Sequence, residues 1–117
     1  MPNQGLFPGD RGWDFCIELF NESGLEIYGN TIQGSLDFNH QTKGDYPYSV
    51  WIHDNIISQP VLNSSFESGI IFEFESEGLI VENNKLNNIS GAILFYTRDY
   101  SYVADVTIRN NSFFFFF

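Results

Sequence analysis

Basic residues are scarce in this chain: five Lys and Arg stand against fifteen Asp and Glu, a formal net charge of −10 over 117 residues. A surface of that sign repels phosphate backbones and anionic headgroups, which argues against nucleic acid and anionic membranes as partners. Long apolar runs are missing as well. The longest candidates are broken by Glu, Asp or Asn within about six positions, far short of the ~20 residues a membrane-spanning helix needs. A single cysteine, Cys16, leaves no internal disulfide, and its place in the alternating run Asp14-Phe15-Cys16-Ile17-Glu18-Leu19 reads as a small packed side chain. There is no phosphate-cradling glycine loop, no paired cysteine–histidine pattern and no nucleophile elbow, which disfavours nucleotide enzymes and zinc hydrolases. Nothing in the chain carries convincing helical spacing.

What the chain does contain is a repeat. One eight-residue cassette (apolar, any, apolar, any, any, Asn, any, apolar) occurs at Leu25 to Ile32, Val50 to Ile57, Leu79 to Leu86 and Val106 to Phe113. Its fixed Asn falls at 30, 55, 84 and 111. A period of this size marks stacked units, each unable to bury its apolar face alone. The apolar spacing of two, bounded by Gly, Asn, Ser and Asp, predicts two or three short strands per unit. The first and third cassette positions point inward, and the Asn itself is expected to make the corner, because it tolerates left-handed backbone angles. Stacked at ~4.8 Å, Asn30, Asn55, Asn84 and Asn111 would pass amide hydrogen bonds from unit to unit. Gly-led apolar strands at Gly34, Gly69 and Gly91 form a second face. In the middle one the alternation puts Ile70, Phe72 and Phe74 inward, a one-residue slip that a bulge would absorb. Residues 1–12 read as irregular lead-in and 13–117 as repeat units of an incomplete domain. Asn39 to Tyr48 and Gln59 to Ser68 are insertions, which in solenoids gather on the binding side.

The run Gly78-Leu79-Ile80-Val81-Glu82-Asn83-Asn84-Lys85-Leu86-Asn87-Asn88-Ile89-Ser90-Gly91-Ala92-Ile93-Leu94-Phe95 resembles the generic repeat of the right-handed parallel β-helix proteins of the pectin-lyase-like superfamily. The resemblance runs from about Trp13 to Phe113. It implies an all-β solenoid of about four coils with an Asn ladder, a truncated piece of a longer helix. It also implies an extracellular or cell-surface protein whose groove over the stacked strands binds a polysaccharide and cleaves it by lyase or hydrolase chemistry. A β-sandwich would not repeat one Asn in an otherwise constant cassette, and a leucine-rich repeat would have denser Leu and shorter units.

Placing the cassettes in register predicts two outward columns, Tyr28–His53–Glu82–Arg109 and Glu26–Trp51–Ile80–Thr107. Trp51 there offers a flat apolar face to a sugar ring. The Gly-led strands carry acids outward: Asp14 and Glu18, then Asp37, then Glu73 and Glu75, with Tyr96, Arg98 and Asp99 beyond. Asp37 and Glu73 are the natural carboxylate pair for glycoside hydrolysis, with Arg98 as the third catalytic candidate. Trp51, His53, Glu75, Tyr96 and Lys43 are candidate substrate contacts. Lyase chemistry would instead need a base, with His40, His53, Lys43 and Arg98 available, and a cation to stabilise the developing charge. Asp37, Glu73 and Glu75 together could hold Ca²⁺, a hard ion that takes several oxygens. The competing reading is a non-catalytic structural or adhesive solenoid whose acids only keep it soluble. In either case the terminal run Phe113 to Phe117 and uncapped coil ends predict self-association.

Overall fold

The computed structural model describes residues 17–58, 68–87, 89, 91–96 and 102–114. The lead-in, Arg98, Asp99 and most of the second insertion lie outside the described residues. Among the described residues there are eleven strands and no helix, and they fall into four successive coils. The first holds β1 (Ile17–Phe20), β2 (Leu25–Tyr28) and β3 (Thr31–Gln33). The second repeats the plan with β4 (Leu36–Gln41), β5 (Val50–His53) and β6 (Ile56–Ser58). In the third, β7 (Ser68–Glu82) runs through a corner before β8 (Lys85–Asn87). The fourth comprises β9 (Gly91–Tyr96), β10 (Val103–Arg109) and β11 (Ser112–Phe114).

Each strand pairs in parallel with its counterpart on the next coil, which gives three faces. Face A stacks β1, β4, the first part of β7 and β9. Face B stacks β2, β5, the second part of β7 and β10. Face C stacks β3, β6, β8 and β11. Because β7 belongs to both A and B, seven strands form one hydrogen-bonded network and the remaining four another. Parallel strands require crossover connections, and here each crossover is simply the rest of the coil.

The alternation of the sequence fills the interior in columns. Leu36 and Ile70, Val50 and Leu79, Ile52 and Val81, and Ile57 and Leu86 are register partners, and all are buried. Phe38, Phe72 and Phe95 stack along the axis with successive ring centroids 5.3 Å apart. The cassette asparagines form a second axial column. Asn30 N and Nδ2 donate to Asn55 Oδ1 at 3.0 and 3.2 Å. Asn55 repeats both bonds to Asn84, and Asn84 repeats them to Asn111, all four at 3.0 Å.

Two details of the coil differ from the sequence expectation. The left-handed residue at the corner is not the ladder Asn but the one before it: Gly29, Asp54, Asn83 and Asn110, with φ between 56° and 70°. The ladder Asn needs its side chain turned inward along the axis, so the sharp turn is taken one position earlier, where only Gly, Asp or Asn occurs. The slip in the middle Gly-led strand is absorbed without a bulge at that point. Gly69 simply occupies the place that Ser35 and Ala92 hold on the neighbouring coils, since Ile70 pairs with both Leu36 and Ile93. A Cβ at Gly69 would lie 2.8 Å from Leu86, 2.9 Å from Ile89 and 3.0 Å from the Ala92 carbonyl oxygen. Gly69→Ala is therefore expected to destabilise by about 1–3 kcal/mol through overpacking, measured by urea unfolding; a stability equal to wild type would show that the contact relaxes freely.

The bulge exists, but at the corner between faces A and B. The register moves from Asn39–Glu73 directly to Gln41–Ser76, so His40 faces the two residues Phe74 and Glu75. Phe74 is accordingly not in the core as its alternation suggested. It takes φ 65° and stacks on the His40 ring, centroids 4.5 Å apart and planes nearly parallel.

Candidate functional site

Face A carries carboxyl groups from three successive coils. Leu36 and Phe38 point into the core, so Asp37 between them points out, and β1 sets Glu18 beside it in register. Glu73 comes from the third coil. Its register partner is Asn39 rather than Asp37, and its side chain reaches Asp37 diagonally. One carboxylate oxygen from each of Glu18, Asp37 and Glu73 lies within 4.8 Å of the other two, the only such acidic, histidine or cysteine group among the described residues. Asp37 is fully covered, and its Oδ1 has no hydrogen-bond partner. Oδ2 accepts from Asn39 Nδ2 at 3.3 Å.

An oxygen buried among carboxylates can be satisfied by a proton or by a cation. Burial, then the hydrogen bond and negative charge of Glu73, then the hydrogen bond of Glu18, push the Asp37 pKa up to about 8, against the opposing pull of Asn39. Asp37 therefore carries a proton at neutral pH. Ca²⁺ takes six to eight oxygens, so the trio alone would leave most of its shell to other donors.

The corner next to this trio holds a second arrangement. Asn21, His40 and Phe74 all have left-handed backbones, with φ of 54°, 57° and 65°. For an aromatic residue that is a genuine outlier. The kink turns His40 Nδ1 onto Glu75 Oε2, a hydrogen-bonded pair of which each side chain is between a third and a half exposed. This hydrogen bond, before any other cause, lowers the Glu75 pKa. A carboxylate only accepts, so Nδ1 holds the hydrogen. Nε2 makes no hydrogen bond among the described residues.

Face B carries the two columns. Tyr28 pairs with His53, His53 with Glu82 and Glu82 with Arg109; Glu26 pairs with Trp51 and Trp51 with Ile80. The His53 ring stacks on Tyr28 at 5.0 Å and leans on Trp51 at 4.3 Å. Its Nε2 donates to Glu26 at 2.6 Å and its Nδ1 to Asp54 at 2.7 Å. Glu82 accepts from Trp51 Nε1 at 2.8 Å and from Arg109 Nε at 2.7 Å. Those two hydrogen bonds, Arg109 first, hold the Glu82 carboxyl below its usual range. Burial of the His53 ring disfavours its charge, yet the carboxylates of Asp54 and Glu26 outweigh it and the pKa rises. A raised histidine contributes stability that is present below its unfolded pKa and disappears as pH rises through the folded one. His53→Gln should thus lose more stability at pH 5.5 than at pH 9, read from thermal melts at both; an equal loss would mean that the carboxylates do not act on the ring's charge.

The description "right-handed beta helix region" matches residues 9–113. The chain belongs to the right-handed β-helix family. No curated protein matches it, and neither does any solved structure.

Within this β-helix the candidate residues separate into three places. Asp37 and Glu73 meet on face A, joined by Glu18, which the sequence reading had on the acidic face but not in the site. The signal was there: Glu18 and Asp37 hold the same position in strands one coil apart. Glu75 does not join them as a third metal ligand, because the bulge carries it around the corner to His40. His40 lies at the end of β4 and not in the loop with Lys43. Lys43 Nζ is held by Asp105 Oδ2 at 2.7 Å on the far side of the following corner, and that hydrogen bond, with the Asp105 charge, raises its pKa. Trp51 and His53 lie together on face B, with one face of the His53 ring taken by Tyr28 and both its nitrogens engaged. Tyr96 is exposed at the end of β9, in register with Glu73. Arg98 lies outside the described residues.

Proposed function

We propose that this β-helix binds a polysaccharide along face A and cleaves it by glycoside hydrolysis. One observation carries the reading: carboxyl groups from three coils converge within 4.8 Å, and one of them keeps its proton to about pH 8. Hydrolysis needs a group that is still protonated at neutral pH to load the leaving oxygen. Asp37 is too well covered to touch a polymer, so it holds the shared proton while the half-buried Glu73 delivers it. A lyase acting on uronates fits less well. Its anionic substrate would have to settle on a protein of net charge −10, and Lys43 is already neutralised by Asp105. The substrate class this favours is a neutral polysaccharide.

The full coverage of Asp37 also favours a second reading, in which the shared proton merely clasps three coils of a structural solenoid. Reducing-end release from a panel of neutral polysaccharides separates the two. Hydrolysis predicts activity in the wild-type chain that falls by about 10²- to 10⁴-fold in Glu73→Gln, the ordinary range for removing a general acid. A wild type that releases nothing, or a Glu73→Gln variant as active as wild type, would discard the hydrolytic reading.

A further inference from the structure

We infer that His40 is the general base of this site, its Nε2 taking a proton from the attacking water, and that Glu75 is the positioning residue that fixes its tautomer. The inference rests on the hydrolytic reading above and adds the missing half of it, since a proton donor alone does not activate water. Four observations support it. Asn39 and Glu73 are register partners, so His40 follows one strand position (~3.3 Å) beyond Glu73 and three positions (~10 Å) beyond Asp37, on the same strand edge. Glu75 takes Nδ1, which leaves Nε2 with a lone pair that meets no hydrogen-bond partner among the described residues and points away from its orienting carboxylate, the arrangement a base requires. The corner that achieves this is costly: left-handed backbone at both His40 and Phe74, and an extra residue that swings Glu75 back across the strand. Bulges of this sort re-aim side chains, and strain of this sort persists where the surroundings over-determine it. Finally, Phe74 stacks on the imidazole and holds the ring plane.

The other histidine is a built-in contrast. Both nitrogens of His53 donate to carboxylates, so that ring has no lone pair to offer.

In the reaction, water loses a proton to His40 Nε2 as its oxygen bonds to the anomeric carbon. The glycosidic C–O bond breaks on the opposite side, and the departing oxygen takes the proton carried by the Asp37–Glu73 pair. The imidazolium then returns its proton to solvent and the acid pair is reprotonated, so the site is restored with one water consumed.

Two measurements on the full chain test this. Diethyl pyrocarbonate acylates a free imidazole nitrogen, and at pH 7 mass spectrometry should find His40 modified about tenfold faster than His53, because only a nitrogen with an available lone pair attacks. Equal rates, or faster modification of His53, would overturn the assignment of Nε2 as free. On the neutral polysaccharide panel, His40→Gln should lower kcat by about 10²- to 10⁴-fold with KM little changed. Glu75→Gln should lower kcat by about 10- to 10²-fold with KM little changed, the size usual for a partner that orients another residue. Imidazole added to His40→Ala should restore part of the rate. Loss of cleavage in Glu73→Gln with undiminished cleavage in His40→Gln would overturn the base assignment and leave the hydrolytic reading standing. A wild type inactive on the whole panel would overturn both.

Discussion

Replacing Asp37 by Asn is expected to raise the melting temperature at pH 8 and leave it nearly unchanged at pH 4. The sign follows from linkage. The folded pKa of about 8 lies far above the ordinary value of 3.8, so between those limits the folded chain holds a proton that the unfolded chain has released. Such a group contributes its full stability only below the unfolded pKa and loses it steadily as pH rises, at up to about 1.4 kcal/mol per pH unit. Glu18 is exposed and Glu73 half-buried, so solvent screens part of the repulsion and a gain of roughly 2–3 kcal/mol at pH 8 is the expected remainder. For a domain near this size that corresponds to about 10 °C. Asn keeps the shape, accepts from Asn39 and donates to Glu18 or Glu73 without a titrating proton. On the hydrolytic reading proposed above, the same variant should cleave no polysaccharide, because the amide cannot supply a proton to Glu73. Melting curves for wild type and variant that run parallel from pH 4 to pH 8 would mean that the proton sits elsewhere.

The stacked coils were legible because their cause is local and recurs. One Asn at a constant place in a constant cassette can only be explained by a partner at the same place on the next coil, and Asn30, Asn55, Asn84 and Asn111 meet in that way. Once the cassettes are in register, the face B columns follow with no further information, down to the Glu82–Arg109 pair. The corner at His40 was not legible. A left-handed Phe has no propensity signal, because nothing about Phe74 favours that backbone; it is imposed by the coils on either side. Period-two alternation carried through the bulge then assigns Phe74 to the core and Glu75 to the same face as Glu73. Both assignments fail for one reason, an extra residue that the sequence does not mark. The diagonal reach of Glu73 to Asp37 was found for a different reason: long side chains cross a register step that the backbone does not.

Removing one rung of the ladder should cost most in the middle. Asn84 is buried, and its Oδ1 accepts from both the backbone N and the Nδ2 of Asn55, while its Nδ2 donates to Ile52 O and Asn111 Oδ1. Truncation in Asn84→Ala leaves the Asn55 backbone N–H without its acceptor, takes the side-chain donor from the Ile52 carbonyl, and leaves Asn55 Nδ2 with only its bond to Ile27 O. At about 1–3 kcal/mol for the buried N–H left unsatisfied and about 0.5–1.5 kcal/mol for each of the side-chain bonds lost with it, the expected loss is about 3–6 kcal/mol, much of the ~5–15 kcal/mol that keeps a domain folded. Asn30→Ala differs in kind. That residue is exposed, its side chain only donates, and Asn55 Oδ1 keeps the bond from the Asn30 backbone, so about 0.5–1.5 kcal/mol is expected. Urea unfolding of the two variants reads the gradient directly. If both cost the same, the amides act as separate corner caps and not as a continuous column. The column also holds coils two and three in step, and Asp37 stands on the second while Glu73 stands on the third. Loss of Asn84 should therefore relax Asp37 toward an ordinary carboxyl pKa in whatever fraction of the protein stays folded, without any change to a residue of face A.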